Sequence, residues 1–108
     1  MKIIVQGDTL TVSGIKELAT TTASSFLCEM GAALRHGVKR IDLDLSQTTF
    51  VDCGGLGALV AIWKKACNTS NSVTVHLLNP PKLLQRMVNL MKMENVFPIE
   101  VPGDARFS

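Results

Sequence analysis

The sequence predicts an α/β domain: a mixed, mostly parallel sheet with helices packed on it, in the order β-β-α-β-α-β-α-β. Three observations predict this. Short apolar runs alternate with segments of helical period, as strand–crossover–strand units do. The chain opens on two β-rich runs joined by the turn-like Gln6-Gly7-Asp8, the mark of a hairpin. Its 108 residues, 46% hydrophobic and 19% charged, suit a single core with few apolar residues to spare.

Taken in order, Lys2 to Val5 and Thr9 to Val12 form the hairpin strands, and Gly14 to Leu18 continues as an extended segment. The period then changes. Ala19, Ala23, Phe26, Leu27, Met30, Ala33 and Leu34 recur at helical spacing, a threonine among Thr20 to Thr22 can cap the start, and Gly37 is a natural stop. The first helix is expected at about Thr21 to His36. Arg40 to Leu45 reads as a central strand. Gly54 to Asn68 returns to the helical period, with Leu56, Leu59, Val60, Trp63, Ala66 and Cys67 on its inner face. Ser72 to Leu78 is a strand in which Val73, Val75 and Leu77 alternate. Pro80-Pro81 opens a third helix with a buried stripe of Leu83, Leu84, Met87, Val88 and Met91. Phe97, Ile99 and Val101 suggest a last strand. The domain is expected over 1–101, with a short tail over 102–108.

Several function classes are disfavoured. A net charge of +2 is too small for a nucleic-acid face. The nearest basic cluster, Arg35, His36, Lys39 and Arg40, falls where a helix ends and complements its dipole. No apolar run is long enough to span a membrane, and Met1 to Gly7 is too short for a signal-peptide core. No direct membrane insertion is expected. Three cysteines without C-x-x-C spacing suggest neither a disulfide framework nor zinc, and they fit a reducing, cytoplasmic setting. Asn68-Thr69-Ser70 matches a glycosylation sequon, which has no meaning without secretion.

Catalytic chemistry needs convergent groups. His36 and His76 have no H-x-x-x-H or carboxylate partner nearby in sequence. Asp42 and Asp44 share one face of a strand, as solvated carboxylates do. Cys28 and Cys67 fall on apolar helix stripes and read as small core residues. No catalytic residue, metal site or cofactor is expected.

The segment that stands apart runs from Ser46 to Gly57: a strand leads into a loop, and the loop into a glycine-rich helix start capped by Asp52 or Cys53. Glycines there let backbone amides approach a ligand or partner, and a helix start attracts anions. The lysine of a phosphate-binding P-loop is missing.

This segment resembles the signature of the STAS family, found in anti-sigma factor antagonists and sulfate-transporter tails. Asp44-Leu45-Ser46 supplies the strand end, and Phe50-Val51-Asp52-Cys53-Gly54-Gly55-Leu56-Gly57 the loop and helix start. Asn79-Pro80-Pro81 through Phe97-Pro98-Ile99 resembles the family's third helix and last strand. The resemblance implies a non-enzymatic, protein-binding regulatory module whose partner is an anti-sigma-type kinase. It also implies partner-binding residues at Asp52, Cys53, Gly54, Gly55, Leu56, Ala58 and Ile62, where small and aliphatic residues flank the second helix before Lys64 and Lys65. One departure follows from the same resemblance: the family's phosphoacceptor Ser or Thr corresponds to Gly54, which has no hydroxyl. Ser46, Thr48 and Thr49 are the nearby hydroxyls that could substitute. Two other roles stay open, an accessory subunit on the ATPase of an ABC-type lipid transporter and a small anion or nucleotide sensor.

Overall fold

A computed structural model describes residues 1–34, 37–69 and 73–100. β1 (Lys2–Gln6) and β2 (Thr9–Ser13) pair antiparallel, with Ile3 opposite Val12. Gly7 sits at φ 61°, the conformation a two-residue link needs at its first position. The chain then runs through β3 (Glu17–Leu18) into α1 (Ala23–Ala33), and on through β4 (Arg40–Asp44), β5 (Phe50–Val51), α2 (Cys53–Thr69), β6 (Thr74–Leu78), α3 (Lys82–Leu90) and β7 (Ile99–Glu100).

The main sheet has the order β1-β2-β4-β6-β7, and every pairing beyond the hairpin is parallel. β4 is central, as the sequence predicts. Each parallel step crosses the sheet in the same direction through one helix. Right-handed crossovers therefore put all three helices on one face. Burial follows: Leu10, Val12, Ile41, Leu43, Val75 and Leu77 are fully buried beneath the helices. Their alternating neighbours, Thr11, Asp42 and His76, lie half-buried on the opposite face.

That opposite face carries an ionic network. Arg40 reaches Asp42 through Nε at 2.6 Å and Glu100 through a terminal nitrogen at 3.2 Å. His76 Nδ1 lies 2.5 Å from Glu100 Oε2, and its Nε2 lies 3.1 Å from the Thr74 hydroxyl. His76 thus has a carboxylate partner, supplied by a strand distant in sequence. Asp44 accepts the Ser46 N–H at 3.1 Å and so holds the strand exit.

Several expectations need correction. α1 is shorter than expected because Leu34 leaves the helical region at ψ 129° and packs on the core; Arg35 and His36 lie outside the described residues. Thr22 occupies its cap position, yet its hydroxyl turns back to the carbonyls of Glu17 and Ala19 instead of capping. Cys28 is exposed, not core, and Cys67 is half-buried. In α3 the buried residues are Leu84 and Val88, whereas Leu83 and Met91 are 53% and 60% exposed. The stripe is narrower than five apolar positions because the nine-residue helix rests on the core along one line only. Pro81 stands at the cap, just before the helix. Ser72, Ser70 of the sequon, Val101 and the tail over 102–108 lie outside the described residues.

β3 and β5 form a second, two-stranded parallel sheet that the sequence does not announce. This small sheet carries the loop ahead of α2 and so positions the site.

Candidate functional site at the start of the second helix

Four chain segments converge on the start of α2. The Thr49 N–H donates to the Lys16 carbonyl at 2.8 Å, and the Asp52 N–H to the Leu18 carbonyl at 3.2 Å. Thr48 is buried, and its hydroxyl donates to the Ile15 carbonyl at 2.6 Å. The loop over Ser46 to Asp52 is thus laced to the segment from Ile15 to Leu18. Thr48 cannot serve as a substitute acceptor in this fold, because its hydroxyl faces inward and is committed.

Asp52 is the helix cap. Its Oδ1 accepts the Gly55 N–H at 3.0 Å, three residues on, which is the bond an N-cap side chain makes. The same oxygen accepts the Thr20 N–H at 2.9 Å and the Thr20 hydroxyl at 3.3 Å. The Gly55 N–H above all, then the Thr20 donors, hold the Asp52 carboxyl below its ordinary value, against a smaller opposing effect of desolvation. Asp52 is therefore ionised near neutrality, and it ties α2 to the loop before α1.

The glycines have a packing reason. A Cβ on Gly55 would stand 1.8 Å from the Leu18 carbonyl oxygen, and one on Gly54 would stand 2.0 Å from Thr20 Oγ1 and 2.7 Å from Thr20 Cα. Both positions admit only glycine, because α2 begins against the backbone of residues 18–20. The close approach expected here is thus made within the chain itself. Gly57, by contrast, meets nothing within 4 Å and lies at the surface.

Of the residues expected to meet a partner, Asp52, Cys53 and Gly54 lie at or near the surface. Gly55, Leu56, Ala58 and Ile62 do not: Leu56 and Ala58 are 3% exposed, and Ile62 is fully buried. The helix is turned so that Gly55, Ala58, Leu59, Ile62 and Ala66 face inward, while Trp63 and Val60 stay half-buried. Small residues on this face let α2 approach β3 and α1 closely. Lys64 and Lys65 are exposed.

Two residues escaped the sequence reading. Phe50 is 52% exposed, directly ahead of the cap. The signal was present, since Val51 is buried and a strand alternates. Thr20 is exposed beside Asp52, and nothing in the local sequence marks it. Among the described residues no cluster of His, Cys, Asp or Glu could hold a metal ion, and no helix is long and apolar enough to cross a membrane. A shallow groove of about 380 Å³ lies beside α1, lined by Lys16, Glu17, Phe26 and Glu29 among others.

This architecture has known counterparts. The crystal structure of TM1081 from Thermotoga maritima matches with a TM-score of 0.78 at 20% identity, covering 98% of this chain and 89% of that one. The anti-sigma factor antagonist SpoIIAA in its unphosphorylated form matches at 0.68 and 14% identity, covering 98% and 90%. The Bacillus cell fate determinant SpoIIAA in its phosphorylated form matches at 0.71 and 15% identity, covering 98% and 96%. These likenesses establish the fold. No curated protein matches the sequence. The STAS domain model, however, matches residues 1–101, the hairpin through the last strand, and the chain belongs to the STAS domain family.

Proposed function

We propose that the chain is a regulatory protein-binding module, not an enzyme, that docks on a kinase-type anti-sigma factor or an equivalent signalling protein through the start of α2. The observation that carries this reading is the surface formed by Phe50, Asp52 and Cys53. An exposed aromatic side chain adjoins an ionised carboxylate on a rigid support. Exposed aromatics anchor protein interfaces, and a fixed charge beside them sets register and partner choice. Phosphorylation at Gly54 has no chemical basis, so regulation through that residue is absent from the proposal.

An anion or nucleotide sensor is less well supported. The Asp52 carboxylate already accepts the Gly55 N–H, filling the place an anion would take at this helix start. The groove beside α1 is lined by two carboxylates, Glu17 and Glu29, against one ammonium, Lys16.

The test is capture of partners from the native cell by tagged wild-type chain and by Phe50→Ala and Asp52→Lys variants, with bound proteins identified by mass spectrometry. A kinase or sigma-pathway protein held by wild type and lost at least tenfold by both variants supports the reading. Retention by both variants removes this surface from the interface. A transporter ATPase in its place would replace the signalling role with the accessory-subunit role.

A further inference from the structure

We propose that Thr20 is a phosphorylation site, and that phosphate there switches the docking surface at the start of α2. This rests on the docking reading above. The observation behind it is spatial. A Cβ on residue 54 would fall 2.0 Å from Thr20 Oγ1, so the Thr20 hydroxyl fills the space that a serine or threonine side chain at position 54 would occupy. The chain lacks a hydroxyl at 54 and has one at the same point in space, delivered from the loop ahead of α1.

The neighbouring hydroxyls do not share this placement. Thr22 is bonded to the Glu17 and Ala19 carbonyls, Thr48 is buried, and the Thr49 hydroxyl donates to the Lys16 carbonyl at 3.2 Å. Thr20 is exposed, and its hydroxyl donates only weakly, at 3.3 Å, to Asp52.

The chemistry is phosphoryl transfer by a serine/threonine protein kinase using a nucleoside triphosphate. Thr20 Oγ1 attacks the γ-phosphorus, the bond from that phosphorus to the β,γ-bridging oxygen breaks, and the nucleoside diphosphate leaves. The hydroxyl proton passes to a carboxylate base of the kinase. The product puts about two negative charges beside the Asp52 carboxylate and removes the hydroxyl donor it had. Repulsion between the two groups opposes the bond by which Asp52 ties α2 to the loop. The surface that held a single carboxylate beside Phe50 then presents a strongly anionic patch.

The experiment incubates purified full-length chain with γ-labelled ATP and extract of the native cells as kinase source, then maps the label by mass spectrometry. Wild type and Thr20→Ser are expected to take label at residue 20, Thr21→Ala to label like wild type, and Thr20→Ala to lose at least nine-tenths of it. Thr20→Glu is expected to lower partner capture at least tenfold. Label that persists in Thr20→Ala, or wild type that takes none, overturns the proposal. The docking reading has its own outcome: partner capture lost in Asp52→Lys without label at Thr20 leaves docking standing and ends the Thr20 assignment. Label at Thr20 with capture indifferent to Asp52→Lys and Thr20→Glu ends the switch and the docking surface together.

Discussion

The Leu18 carbonyl oxygen and the Gly55 Cα are packed so closely that a Cβ on residue 55 would lie 1.8 Å from that oxygen. The obstacle is backbone, and Leu18 is held in place by its pairing with Val51. Gly55→Ala is therefore expected to destabilise the protein by on the order of 3 kcal/mol. Gly57→Ala, in the same helix but facing open space, should be neutral or stabilising by up to about 1 kcal/mol through helix propensity. Denaturant unfolding of the two variants checks the contrast; equal effects would show that α2 does not begin against β3.

Gly54→Ser is expected to destabilise as well, because the new Cβ displaces Thr20. Its effect should shrink in Thr20→Gly, which vacates the space. A double-mutant cycle by thermal unfolding reads this directly, and additivity within about 0.5 kcal/mol would separate the two positions.

Asp52 should make stability depend on acid. Its carboxyl is held below the ordinary value of 3.8, chiefly by the Gly55 N–H. A depressed folded-state value means that the contribution is fully present above about pH 4. It is lost as pH falls through the folded-state value. Asp52→Asn should lower Tm at neutral pH, and the gap from wild type should close below pH 4. A gap constant down to the acid transition would show that the ionised form is not what the cap requires.

Leu84 and Leu90 lie on one helix with opposite environments, fully buried and 81% exposed. Leu84→Ala is expected to destabilise by about 2–5 kcal/mol, and Leu90→Ser by less than about 0.5 kcal/mol. Urea midpoints at unchanged slope check both.

The fold was legible where residues repeat a period. Val73, Val75 and Leu77 announce β6, and the spacing of Leu56, Leu59 and Ala66 announces α2. The inner face of α2 was misjudged by roughly 60° about the helix axis. Bulky Val60 and Trp63 pulled the expected face toward themselves, whereas close packing selects small residues such as Gly55 and Ala58. β3 and β5 have two residues each, too few to show a period. The site was legible only in its local half. Asp52 as a cap follows from its place before a helix, but its bonds to Thr20 join segments 32 residues apart, and no local pattern encodes them. Phe50 was readable by alternation with Val51.

The β3–β5 pairing has a consequence for the order of folding. The hairpin of β1 and β2 needs only a two-residue turn, but Leu18 meets Val51 only after α1 and β4 have been laid down between them. Closing so long a loop carries an entropy that early contacts do not offset. The Asp52 cap is thus assembled among the last elements of the chain, and a partner that recognises it discriminates finished molecules from nascent or partly collapsed ones.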